Sequence, residues 1–214
     1  MWMANLVVSS FFIMSAATVA GLSHANPLVQ SRADGLVQQL RELPTPQPLE
    51  PSNGSVLPSE RLRREVYDQL RQLGNEGVEA LARGLRDDDP RLRKNVALAL
   101  SLLAGGWYDI SWPKLDVRAG LPTLIAALRD KDGSVRAWSA QAIGAIGPDA
   151  APAVPALVKL LASADEGSRN SACIALRGIG PAAKEALPAL RKSLADLKAD
   201  VRRFARLAIN SIQQ

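Results

Sequence analysis

The sequence predicts an all-α fold, a solenoid of about five antiparallel helix pairs stacked side by side. Three observations predict it. The segment from Pro122, PTLIAALRDKDGSVRAWSAQAIGAIG, returns 33 residues later from Pro155 as PALVKLLASADEGSRNSACIALRGIG, and after 33 more from Pro188 as PALRKSLADLKADVRRFARLAINSIQ. Within each copy the apolar residues recur at helical spacing. Gly-Pro and Asp-Pro pairs punctuate the copies where one helix should stop and the next begin.

Taken in order, the first 31 residues carry no Asp, Glu, Lys or Arg. The apolar run Leu6 to Leu22 is diluted by Ser, Ala, Thr and Gly and is followed by SHAN, with small residues at Ser23 and Ala25. That pattern predicts a signal peptide over residues 1–25, cleaved after Ala25, and a periplasmic or secreted protein. Its n-region, MWMAN, holds no Lys or Arg. Uncleaved, the segment would be a membrane anchor, although it is shorter and richer in small residues than the roughly 20 strongly apolar residues of a span.

Residues 26–58 are read as an N-terminal helix and a linker. DGLVQQLREL supplies the first half of a helix pair, and Pro44 to Pro58 holds five prolines in fifteen residues, a semi-rigid extended arm. The repeat domain is drawn over 59–214. SERLRREVYDQLRQLG matches the second half of a pair, and GVEALARGLRDDDPRLRKNVALALSLLA matches the common frame at an offset of 43.

The second helices align by register. Position one reads Leu62, Leu92, Val135, Ser168, Val201; position five Val66, Val96, Ser139, Ala172, Ala205; position nine Leu70, Leu100, Ile143, Leu176, Ile209. With positions eight and twelve these form one apolar stripe, which only neighbouring pairs can bury. Small residues at positions five and eight predict close helix approach. Gly147–Pro148 and Gly180–Pro181 end helices, and Asp89 before Pro90 caps one.

From Ile146 the chain takes nine residues to reach Pro155, but from Leu103 it takes nineteen to reach Pro122. The surplus is an insertion, 104–118, containing GGWYDISWPKLD. Trp107, Tyr108 and Trp112 make up half of the six aromatics beyond residue 25. Burying all three is worth on the order of 10 kcal/mol as an upper figure, so something should cover them. Three coverings are open: the solenoid body, the proline arm, or a partner.

The pattern PALVKLL…VR..A..AIG.IGP resembles HEAT-type repeats, particularly the short bacterial type named after HEAT-like phycobilin lyases, over roughly Ser59 to Ile212. The resemblance implies a right-handed superhelix whose second helices line the concave surface. It implies a protein-binding scaffold, with a bilin or tetrapyrrole lyase or chaperone as the alternative; a further group of relatives excises bases from DNA. Fold alone does not choose.

Function classes narrow on composition. His24, the single histidine, lies inside the expected signal, so imidazole catalysis and histidine metal ligation are absent from the mature chain. Cys173 is the single cysteine, so no intrachain disulfide forms. No enzyme activity, metal or cofactor is expected. Arg63, Arg93, Arg136, Arg169 and Arg202 recur at position two behind acidic turns, read as an inter-repeat ladder of ion pairs and carbonyl bonds. The acids at Asp87–Asp89 read as caps. Positions three, seven and ten face away from the stripe. Together with Trp107, Tyr108 and Trp112, the residues Arg64, Lys94, Leu98, Ile174, Arg177, Arg203 and Leu207 are the candidate partner-binding set. Leu98, Ile174 and Leu207 are expected as exposed aliphatics there. The expected partner is a protein. Nucleic acid is not expected, because the run Ala137 to Gly144 is uncharged, and a membrane is expected only if the N-terminal segment stays uncleaved.

Overall fold

The computed structural model describes residues 26–45, 58–105 and 113–214. The expected signal peptide, most of the proline arm, and Trp107, Tyr108 and Trp112 lie outside the described residues. Among the described residues there is no strand, and ten α-helices follow one another. They are α1 (Pro27–Glu42), α2 (Pro58–Gln72), α3 (Asn75–Gly84), α4 (Pro90–Leu103), α5 (Leu121–Ala127), α6 (Gly133–Ile146), α7 (Val154–Leu160), α8 (Glu166–Ile179), α9 (Leu187–Ser193) and α10 (Ala199–Ile212). Odd-numbered helices are the first members of pairs and even-numbered ones the second.

Helix boundaries follow from local chemistry. Asp89, Asp132 and Asp165 cap α4, α6 and α8 by accepting from the backbone amides of Arg91, Ser134 and Ser168. Lys198 stands at the same place before α10 and makes no such cap. Gly147 and Gly180 end α6 and α8 at φ of 80° and 67°, a region that β-carbons disfavour. The prolines behind them open 3₁₀ turns over 147–153 and 180–186. These turns lengthen the first-helix layer, where α5, α7 and α9 have only seven residues each.

The apolar stripe is the core. Val66, Val96, Ser139, Ala172 and Ala205 are buried, as are Leu70, Leu100, Ile143 and Leu176. Ile209, the last of its series, is only half-buried, because no later pair among the described residues covers it. Leu62 departs from the expectation. It is 42% exposed where its counterparts are buried, since no earlier pair lies on that side among the described residues. Each fully buried leucine contributes about 1.5–3 kcal/mol.

Second helices from α4 to α10 pack on one another in sequence. α6 and α8 approach one another closely: a β-carbon on Gly178 would lie 2.3 Å from the Gly144 carbonyl oxygen. The first pair is different, with α1 against α2, α3 and α4, and α2 touching α4 only lightly. Ala33, Leu36, Val37 and Leu40 of α1 belong to the same core as the rest. The body of the solenoid therefore starts at α1 and not at residue 59. Buried Asn95 secures it, its side-chain amide donating to the carbonyls of Leu40 and Leu43 at 2.7 and 3.0 Å.

Candidate interaction surface

The recurring arginines build the turns and leave little for ligands. Nη1 of Arg93 donates to the carbonyls of Asp87 and Asp88, that of Arg136 to Asp130 and Lys131, that of Arg169 to Ser163 and Ala164, and that of Arg202 to Asp196 and Leu197. Each of the first three also reaches forward to the next turn. Arg93 meets Asp130 at 2.7 Å and Arg169 meets Asp196 at 2.8 Å. Asp196 in turn accepts from the Lys198 amide, so one carboxylate shapes its own turn and ties two repeats. The Arg169 hydrogen bond, then the Lys198 amide, hold the Asp196 carboxyl below the usual carboxylate range. Hydrogen bonding to Asp130 correspondingly raises Arg93. Where Ser163 replaces the acid, Arg136 turns to Ser168 at 3.0 Å and Asp165 at 3.5 Å. At the other end Arg41 serves Asp87 at 2.8 Å, and Arg63 donates to the Pro44 carbonyl. Asp87 and Asp89 accept backbone amides, as the capping reading expects.

The second helices' outward strip is uneven. Arg64, Arg177 and Arg203 are exposed, Leu207 is exposed, and Ile174 is half-buried. Lys94 is spent on Asp132 at 2.7 Å, across the α4–α6 seam. Leu98 corrects the expectation of an exposed aliphatic: it is 7% exposed. The strip is closed at this helix, where α6 leans on α4 and buried Ser101 donates to Gln141 at 3.4 Å. From α6 onward the strip opens. Gln141, Gly144, Ala145, Ile174, Arg177, Gly178 and Gly105 line a cleft of about 180 Å³.

Gly105 marks the base of the aromatic insertion. The two described ends of that segment meet, because the Leu115 amide donates to the Leu103 carbonyl at 2.7 Å. Arg118 braces the outgoing end by bonding both Asp116 and Asp149, and the Asp116 carboxyl falls below its ordinary value through that guanidinium. A second cavity of about 310 Å³ lies beside this brace, between Ala104, Lys114 and Ile146. The fold thus brings Ile174 and Arg177 to the insertion's base and leaves Arg64 on α2 at the far end of the stack.

Cys173 is buried and its thiol is pushed up to about 12 by burial, so it stays protonated at neutral pH. Among the described residues no group of three His, Cys, Asp or Glu could hold a metal ion.

Residues 116–210 match the HEAT-repeat family. The chain is a HEAT-like repeat solenoid. Solved structures of the same architecture align over most of this solenoid. An engineered protein shares 24% identity with a TM-score of 0.59, covering 86% of this chain and 80% of its own. The complex of CpcE and CpcF of phycocyanin lyase from Nostoc sp. PCC7120 shares 20% identity with a TM-score of 0.62, covering 83% of this chain and 98% of the other. A designed armadillo repeat protein in complex with the peptide (KR)4 shares 21% identity with a TM-score of 0.55, covering 89% and 87%. At these identities the likeness is one of fold. No curated protein sequence matches the chain.

Sequence reasoning missed the two glycines that floor the HEAT-like solenoid's cleft. In the sequence Gly144 reads only as the end of the uncharged run from Ala137, and nothing marks Gly178. The overlooked signal is their place on adjacent second helices, one residue apart in register, where each removes the β-carbon that would hold α6 and α8 apart.

Proposed function

We propose that this HEAT-like solenoid is a non-enzymatic scaffold that binds a protein segment on its inner face, with the 104–118 insertion as a second contact. The cleft between α6 and α8 carries the reading: it joins the open part of the inner strip, Ile174 and Arg177, to Gly105 at the insertion's base. A preorganised concave site with an apolar wall and few charged groups is the usual form of such a surface. Two solenoids of like fold support it, one in a complex of two chains and one with a bound peptide. Trp107, Tyr108 and Trp112 would then be anchors for the bound segment, since large aromatics carry much of an interface's energy.

The protein acts in the periplasm or outside the cell, entering by the signal segment over residues 1–25. Mass spectrometry of the protein recovered from that compartment should find Asn26 as its first residue; a Met1 terminus there overturns cleavage. For binding, the wild type and a Trp107→Ala, Trp112→Ala double variant are compared in pull-downs from the periplasmic fraction. Capture should be lost in the variant while its melting temperature stays nearly unchanged. A melting temperature lowered by many degrees without any partner shows instead that these rings pack within the solenoid itself.

A further inference from the structure

Resting on that inner-face reading, we infer that the segment docked there is acidic, its carboxylates meeting Arg177 and Arg203 on either side of Ile174 and Leu207. The charges nearest this face have been sorted by the fold. Three acids on or beside the second helices are paired with other cations, Asp68 with Arg71 at 3.1 Å, Asp132 with Lys94 at 2.7 Å and Glu166 with Lys198 at 3.4 Å. The two arginines are left freer. Arg177 is exposed and has no carboxylate within ion-pair reach among the described residues. Arg203 is 64% exposed, touches Asp200 only at 4.0 Å, and is steadied by lying 4.7 Å from the centre of the Phe204 ring. Ser211 on α10 donates to the Arg177 carbonyl at 3.1 Å, which fixes the two arginine-bearing helices side by side. Guanidinium groups with spare donors, set beside the half-buried Ile174 and the exposed Leu207, suit carboxylates alternating with apolar side chains. A nucleic-acid strand needs cations along its whole path. Ala137, Gln141 and Gly144 on α6 offer none.

The test uses the full chain and three fluorescein-labelled probes, the peptides (DE)4 and (KR)4 and an eight-residue oligothymidylate, in fluorescence anisotropy at low salt. (DE)4 should bind with an affinity that falls as salt rises, and (KR)4 should bind about tenfold more weakly or less. Replacing Arg177 and Arg203 together by Glu should weaken (DE)4 by about tenfold or more and turn the preference toward (KR)4. Replacing both by Gln should weaken (DE)4 without that reversal. Lys184→Glu, exposed on the 3₁₀ turn at 180–186, controls for net charge and should change the affinity less than about twofold. Equal affinity for the two peptides, or an equal loss in Lys184→Glu, overturns the inference. Oligothymidylate bound as tightly as (DE)4 overturns it in favour of a general polyanion groove. Should the Trp double variant lose its captured partner while the arginine variants keep theirs, protein binding through the insertion stands and the acidic reading falls.

Discussion

Asp196 shows how much a single side chain can organise. It accepts from the Lys198 amide within its own turn and from Arg169 of the preceding repeat. Only 14% of either side chain is exposed, so the pair is worth more than a solvated surface bridge. Asp196→Asn should destabilise the fold by about 1–3 kcal/mol, read from urea midpoints at neutral pH. The acid limb tests the same contact. Its folded carboxyl lies below the ordinary value near about 3.9, so its stabilisation is complete above that value and is lost as pH falls toward the folded one. Asp165 behaves alike, through Ser168 and the backbone amides. Stability should thus fall steeply below about pH 4 in the wild type and less steeply in Asp196→Asn. The arginine ladder was legible, because an arginine recurring behind acidic turns at the stripe's border can reach both its own turn and the next. The detour of Arg136 to Ser168 was not legible, since it depends on how far a guanidinium reaches once Ser163 stands where an acid stands elsewhere.

Between elements, the α6–α8 seam is a tight joint. Helices come this close only where β-carbons are missing, and Gly178 against Gly144 supplies that gap. Gly178→Ala puts its new methyl group onto backbone, which cannot swing aside as a side chain could. A loss of about 1–3 kcal/mol follows, or roughly 2–10 °C in melting temperature. Gly167→Ala is the informative contrast. Its added carbon would meet nothing nearer than Asp165 Oδ1 at 3.6 Å, so helix propensity should raise stability by up to about 1 kcal/mol. Differential scanning calorimetry of the two variants should show shifts of opposite sign. Small residues at positions five and eight predicted close approach in general. Whether position seven is covered, as at Leu98, or open, as at Ile174, depends on the neighbouring helices and does not appear in any one repeat.

Across the whole molecule the question is where the cooperative unit begins. A proline-rich arm between α1 and α2 reads as a domain linker, which is why the sequence places the boundary at residue 59. The contacts place it earlier. α1 lays Val37 against Gly84 of α3, and Asn95 of α4 closes both amide hydrogens on the chain at Leu40 and Leu43. The hint was present in the repeat alignment: Asn95 occupies the position held by Trp138, Ser171 and Phe204 in later repeats, a polar amide where it would be buried. A buried amide needs acceptors, and two carbonyls at a helix end supply them. Removing α1 strands that amide, at about 1–3 kcal/mol, and uncovers the apolar side of α3 as well. A chain beginning at Asn26 should therefore melt like the full-length protein, whereas one beginning at Ser59 should melt many degrees lower and expose hydrophobic surface to a dye such as ANS. Asn95→Ala within the chain from Asn26 refines the comparison, since it loses the clamp but keeps α1. Its melting temperature should fall between the other two, and equal stability of the chains from Asn26 and Ser59 would return the boundary to the proline arm.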